Sequence, residues 1–293
     1  MRDLSTLFRP ITAIPDSHSE EYVEIQPCPV LRPYIRCFWG EPEPFPYESR
    51  QSTAATPDAC MDIVIYINYS TNEITSRFCG IDDVPLLPST RRRSGVISYF
   101  GIRFYFWAVH LFVRNGLSSA ANASSDVGQF FPDFRKKLED IIVYHPRIED
   151  RAHFAELYLL NKLQDNQPEN HNFMNAVDYI VRTKGMISVR NICSHIGIGQ
   201  RHLERIFSEY IGLSPKRMAD VVRYQNVWQD LFYAGTHNFN DIVYDYGYSD
   251  QSHLVNDFEK HHGRTPLEAL RYARNKMSDF YNTKLSSETY TVD

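Results

Sequence analysis

The chain has 293 residues, enough for about two domains of ordinary size. Hydrophobic residues make up 43% and charged residues 23%, a globular mix that excludes wholly disordered, collagen-like and disulfide-scaffold proteins. The net charge of −5 excludes a protein that coats nucleic acid indiscriminately.

The opening stretch MRDLSTLFRPITAIPDSHSEE lacks the apolar core of a secretory signal. No run approaches the roughly 18 apolar residues of a membrane-spanning helix. A cytoplasmic protein without a membrane partner is therefore expected. Cys28, Cys37, Cys60, Cys79 and Cys193 are odd in number and form no CxxC pair, which predicts reduced thiols. Charge is unevenly spread. Residues 1–170 hold 17 Lys and Arg against 22 Asp and Glu, whereas residues 171–275 hold 12 against 11 and add seven histidines. Such asymmetry suggests two parts with different tasks.

In chain order, strands are predicted at 22–26, 34–39, 61–67, 73–79 and 95–104, where β-branched and aromatic residues cluster. Pro27, Pro29, the run EPEPFPYE and Pro57-Asp58 read as the turns between them. From about Gln129 the period becomes helical. In 149–163, Ala152, Ala155, Leu159 and Leu163 form a stripe that Phe154, Leu157 and Leu160 widen. The front domain is thus expected over 1–165 as a β-barrel, cupin-like, closed by C-terminal helices.

Leu163–Asn172 is polar and aperiodic, and 166–172 reads as a linker. An all-α domain follows over 173–275, with a polar tail at 276–293. Phe173, Ala176, Val177, Ile180 and Val181 mark an amphipathic helix ended by Gly185. Ser188 can cap a second helix with Val189, Ile192, Cys193 and Ile196 inward. A turn at Gly197–Gly199 leads to a third helix with Leu203, Ile206, Phe207 and Tyr210 inward. Ser214-Pro215 then opens a long helix over 215–233 that carries Met218, Val221, Val222, Trp228, Leu231 and Phe232 on its apolar side.

This half contains an internal repeat. Ile192, Gly197, Phe207, Gly212 and Pro215 recur as Ile242, Gly247, Phe258, Gly263 and Pro266, offset by 50 residues before the turn and 51 after it. Each copy reads as helix, glycine turn and second helix, with Leu203/Phe207 matched by Leu254/Phe258. That is a helix-turn-helix pattern. The linking helix spans roughly 27 Å at 1.5 Å per residue. It can hold two recognition helices about one turn of duplex, roughly 34 Å, apart.

On these segments the resemblance is plain. ISVRNICSHIGIGQRHLERIF, IGLSP and FNDIVYDYGYSDQSHLVNDFEKHHGRTP make residues 187–275 similar to the DNA-binding domain of AraC/XylS-type transcriptional regulators. More loosely, residues 28–163 resemble one of the family's N-terminal sensing domains, through CPVLRPYIRCFWG, TPDACMDIVIYI, FGIRF and IEDRAHFAELYLLNKL. The resemblance implies a one-component regulator of promoter DNA, with a small-molecule effector in front, a homodimer paired through helix 149–163, and RNA polymerase as a further partner. In that pairing Arg151 and Glu156 are expected to flank the helix stripe. The alternative is that this helix docks onto its own barrel.

Helix geometry selects the DNA-facing residues. With Leu203, Ile206 and Phe207 inward, Gln200, Arg201, Glu204 and Arg205 face out; with Leu254 and Phe258 inward, Gln251, Ser252, Val255 and Asn256 do. Arginine can bridge guanine O6 and N7, glutamine and asparagine suit adenine edges, and valine suits a thymine methyl. The family commonly has arginine where Asn256 stands, and Asp257 and Glu259 lie beside it, so the first unit is expected to dominate base recognition. Arg190, His202, Lys216 and Arg217 are phosphate candidates, as are the helix N-termini after Ser188 and Asn238. His261-His262 reads as a solvent or phosphate face. Arg91-Arg92-Arg93, the one basic run, reads as a solvated loop or a phosphate site.

For the effector, Arg36, Trp39, Arg103, Trp107 and His110 are candidates. The three basic residues sit among apolar ones, where they pair with an anionic effector or with local carboxylates. Most of the aromatics are expected to fill the core. No GxSxG, HExxH, GxGxxG or P-loop pattern occurs, and residues 1–130 contain only His18 and His110, so neither an enzyme, a metal site nor a cofactor is expected. Two alternative functions are a metal-dependent cupin-like enzyme with a DNA-binding tail and a regulator gated by a partner protein.

Overall fold

The computed structural model describes residues 3–11, 22–48, 56–85, 94–113, 115–164, 170–233 and 239–276. Arg91–Arg93, Asn238, most of the expected linker and nearly all of the expected tail lie outside them.

The front domain is a seven-stranded antiparallel sheet. Its strands are β1 (Val23–Ile25), β2 (Ile35–Gly40), β3 (Phe45–Glu48), β4 (Cys60–Asn68), β5 (Glu73–Cys79), β6 (Ser94–Tyr105) and β7 (Ser124–Asp126). They pair in the order β1-β2-β6-β4-β5-β7, with β3 beside β6. β3 corrects the reading of EPEPFPYE as a turn. Pro46 sits opposite Val96 of β6, and no other strand pairs with β3 among the described residues. A proline has no N–H to donate, but on a strand paired along one side that donor is dispensable.

Side chains alternate between the faces of a strand. Met61, Ile63, Ile65 and Ile67 of β4 and Phe100, Ile102 and Phe104 of β6 share one buried face with Leu138, Ile142, Ala152, Ala155 and Leu159. These last come from the stretch before α1 (Asp140–Tyr144), from α1 itself and from α2 (Ile148–Gln164). Each fully buried Ile, Leu or Phe contributes roughly 1.5–3 kcal/mol over an exposed one. Cys37, Trp39, Asp62, Val64, Tyr66, Tyr99 and Arg103 lie on the other face. There Cys37 and Asp62 stand opposite Arg103 from either side, and Trp39 and Val64 stand opposite Gly101.

The back half is helical: α3 (His171–Arg182), α4 (Val189–Ile196), α5 (Gln200–Ile211), α6 (Pro215–Tyr233), α7 (Phe239–Asp245), α8 (Gln251–His262) and α9 (Pro266–Lys276). α3 begins inside the expected linker because Asn170 caps it, its side chain accepting from the Phe173 N–H at 3.1 Å. Ser188 caps α4 through Asn191 at 3.2 Å, and Asp250 caps α8 through His253 at 2.8 Å. Thr265 and Glu268 close a reciprocal box at the start of α9, with bonds of 3.0 and 3.4 Å.

The repeat is realised element by element. Gly197 and Gly247 turn from α4 to α5 and from α7 to α8 at φ 74° and 63°. Gly212 and Gly263 end α5 and α8 at φ 76° and 73°. Both positions need a left-handed backbone that glycine takes without steric cost.

The two halves share a core. One cluster runs from the sheet through α3, α4 and α5 to Val221 and Val222 of α6. A second joins Tyr224–Leu231 of α6 to α7, α8 and α9, and takes Ile11 from the front.

Candidate nucleic-acid interface and sensing face

α5 and α8 are amphipathic in the same frame. Leu203, Ile206 and Phe207 are buried on α5, as are Leu254 and Phe258 on α8. The outer faces are uncovered. Gln200, Arg201, Glu204 and Arg205 are exposed, as are Gln251, Ser252 and Asn256, while Val255 is half-buried. On α5, Gln200 donates to Glu204 at 2.8 Å, and Arg205 lies 3.7 Å from Glu209 and 3.2 Å from His202 Nδ1. On α8, Gln251 donates to Asn240 at 2.9 Å. These are weak, solvent-facing contacts that a base edge can replace.

The phosphate candidates divide. Arg190 and His202 are exposed. Lys216 is exposed and bonds Asp220 at 2.5 Å. Arg217, by contrast, holds the Asp83 carboxylate of the front domain through two nitrogens. Burial alone would raise the Asp83 pKa, but hydrogen bonds from Arg217 and from Asn122 pull it below the usual carboxylate range. The Asp83 backbone carbonyl also faces His261 Nδ1 at 2.7 Å. His262 Nδ1 meets the Tyr224 hydroxyl at 2.8 Å. The expectation of a solvent or phosphate face for His261-His262 is therefore corrected: both are buried. They continue the Leu254, Phe258 stripe at i+7 and i+8, so helical spacing carried the signal. Burial pushes His262 down to about 4 and lowers His261 as well, which keeps both rings neutral near pH 7.

The front domain touches both units. Leu117 N–H donates to the Glu209 carbonyl near the end of α5 at 2.7 Å. The Gln225 side chain of α6 donates to the Pro57 carbonyl at 2.6 Å and accepts from the Ile11 N–H at 2.8 Å.

The effector candidates do not form one site. Trp39 and Arg103 come together: the guanidinium lies 5.3 Å from the Trp39 ring, and both bond Asp62. Arg103 grips Asp62 at 2.9 and 3.0 Å and stands 3.7 Å from Asp58. Its Nη1 has no partner among the described residues although the side chain is 7% exposed. Burial pushes the Asp58 carboxyl up to about 6, against the pull of Arg103. Trp39 lies flat on Gly101, where any Cβ would enter the indole. Arg36 pairs with Glu24 at 3.5 Å. Carboxylates thus already stand beside both arginines. Trp107 fills the shared core, and its indole N–H donates to Pro33 at 3.0 Å. His110 stacks on Tyr210 of α5 at 4.6 Å and meets Phe173 edge-on at 5.0 Å. It is a contact between the halves, and burial pushes it down to about 3.

α2 docks onto its own sheet. Arg151, expected at the rim of a helix pair, is buried, and its guanidinium bonds the His145 carbonyl, Ser98 and Tyr69 at 2.7 Å each. Glu156 accepts from the Cys28 N–H. Leu157 remains 46% exposed on the other side of the helix. The cysteines are all free. Among the described residues no helix is long and apolar enough to cross a membrane.

Residues 192–272 match the family model described as a helix-turn-helix domain, and residues 23–126 match a domain of unknown function, DUF6597. The lactose operon transcription activator of Staphylococcus xylosus is 29% identical over 93 residues, 31% of this chain and 33% of that protein. The chain thus spans about a third of the length of that relative. Solved structures that match part of the chain include a probable AraC family transcriptional regulator from Rhodopseudomonas palustris (24% identity, 36% of this chain, 98% of that one, TM-score 0.31). ToxT from Vibrio cholerae gives 11% identity, 80% and 96% coverage and a TM-score of 0.39. ToxT with a bound unsaturated fatty acid gives 10%, 85% and 95%, and 0.35. The matched helix-turn-helix region falls on the duplicated units, so the back half is a helix-turn-helix domain, similar to that of AraC-type transcription regulators.

Proposed function

We propose that the chain is a one-component regulator whose two helix-turn-helix units read successive major grooves of promoter DNA under the control of a small effector held by the front domain. One observation carries the reading: α5 and α8 share a buried frame yet leave both outer faces open to a groove. Arg201 and Arg205 suit guanine, Gln251 and Asn256 adenine, and Val255 a thymine methyl, with Glu204, Gln200 and Ser252 completing the faces. Arg190, His202 and Lys216 serve phosphates. Arg217 joins them only when it leaves Asp83.

The face around Trp39 and Arg103 is the proposed effector site, since it combines an aromatic platform with a buried, incompletely satisfied guanidinium. The effector acts by population shift, favouring one arrangement of the two halves over another. The open side of α2, around Leu157, is the proposed surface for a homodimer, and RNA polymerase is the proposed further partner of the DNA-bound form.

The test is selection from a random duplex library with the full-length chain. Enrichment of two short boxes, centred about 10 base pairs apart on one face, is expected. Failure to enrich any sequence over repeated rounds at low salt removes the proposal.

A further inference from the structure

The turn before β4 touches both the Arg103 face and the helix that joins the DNA-reading units. On one side, Asp58 stands 3.7 Å from Arg103, a looser contact than the two-pronged grip of Asp62. On the other, the neighbouring Pro57 carbonyl takes the Gln225 Nε2 at 2.6 Å. Gln225 is fully buried, and its amide is spent on front-domain backbone: Pro57 O, Ile11 O at 3.3 Å and Ile11 N at 2.8 Å. Directly after Pro57 and Asp58, Ala59 is held at φ 55°, buried, in a conformation that costs a side-chain-bearing residue roughly 1–2 kcal/mol. A strained turn whose Asp58 carboxylate accepts the Cys60 N–H at 3.0 Å within the turn but is held only loosely by Arg103, and whose Pro57 carbonyl is held firmly by Gln225, is suited to two discrete arrangements.

We propose that the Pro57–Ala59 turn is the coupling element between the sensing face and α6, so that a ligand group drawn to Arg103 Nη1 frees Asp58, lets the turn relax and loosens the Gln225 grip on the front domain. The two units sit at opposite ends of α6, so this grip bears on how they are presented together. The proposal rests on the reading of the Arg103 face as the effector site. Its test adds no effector, so the two can fail separately.

The experiment is amide hydrogen exchange of the full-length chain, resolved by peptide, for Asp58→Asn, Gln225→Met and Ala59→Gly. Asp58→Asn is expected to raise exchange in residues 215–233 several-fold while residues 96–104 of β6 stay at the wild-type rate. Coupling is reciprocal, so Gln225→Met is expected to raise exchange in residues 58–62. Ala59→Gly relieves the strain in place and is expected to leave residues 215–233 at or below the wild-type rate. Unchanged exchange in 215–233 for Asp58→Asn overturns the proposal, as does unchanged exchange in 58–62 for Gln225→Met. A uniform rise across β6 and α6 in both variants also overturns it, because that reports general loosening and no route.

Discussion

Arg205 offers the sharpest test of the proposed DNA-reading face. Its side chain is 64% exposed, and its partners are the exposed Glu209 and His202 on the same helix. An exposed i,i+4 ion pair contributes about 0.3–0.5 kcal/mol, so Arg205→Ala is expected to change folding stability by no more than about 0.5 kcal/mol. A two-pronged contact to guanine is worth about 1–3 kcal/mol of discrimination. That is about 5- to 140-fold in affinity at 1.4 kcal/mol per decade. The assay is fluorescence anisotropy of the full-length chain on a duplex recovered by selection and on a scrambled duplex of the same composition, at one fixed salt concentration. The selected duplex should lose affinity by that factor and the scrambled duplex by much less. Arg205→Lys should keep scrambled binding but lose most of the discrimination, because an ammonium lacks the planar fork. Equal losses on both duplexes would make Arg205 a phosphate contact. No loss on either, with the melting curve unchanged, would remove it from the interface.

Other perturbations follow from the contacts between the halves. Burial, with Asp58, Asp83 and Asp62 nearby, pushes Asp82 up to about 7. A raised carboxyl favours the folded state below its unfolded pKa and loses that contribution as pH climbs through the folded value. Asp82→Asn should therefore stabilise the chain by about 1–2 kcal/mol at pH 8 and by almost nothing at pH 4, read as the difference between urea midpoints; an equal gain at both pH values would refute the cause. His110 behaves oppositely. Its folded pKa of about 3 lies below the ordinary histidine value, so its contribution is complete above pH 6.5 and is lost as pH falls towards 3. His110→Phe keeps a ring against Tyr210 and should reduce acid destabilisation between pH 6 and 4; an unchanged acid limb would exclude His110 as a source. Gly212→Ala should cost more than Gly247→Ala, by about 1 kcal/mol or more in thermal unfolding. Both glycines have positive φ, but only at Gly212 would the new Cβ meet backbone, 2.7 Å from the Leu117 carbonyl oxygen.

Much of the helical half was legible because each unit repeats its own grammar. The spacing of Leu203 and Phe207, the turn glycines and Ser214-Pro215 fix helix, turn and helix locally. The front strands were legible wherever β-branched residues run, but β3 was hidden by its prolines. The pairing of Phe45–Glu48 with Ser94–Ile97 shows that the strand lies along β6. The proposed sensing face was half visible. Trp39 and Arg103 were named from composition, whereas Asp62 becomes their partner only through sheet register and Asp58 only through the turn before β4. Arg217 shows the limit of local reading. Its outward place on α6 is helical geometry, but its partner Asp83 lies 134 residues away.

The shared core has an evolutionary corollary. Because the packing runs unbroken from Phe104 and Phe131 to Phe173 and Val222, the front half cannot be grafted onto a different DNA reader without re-fitting the seam. A successful chimera would have to carry the Leu117 loop, His110 and the Ile11 segment together with their seats on α5 and α6. Sequence drift on one side of that seam should be answered by compensating drift on the other, so lineages of this chain are expected to inherit the two halves as one unit.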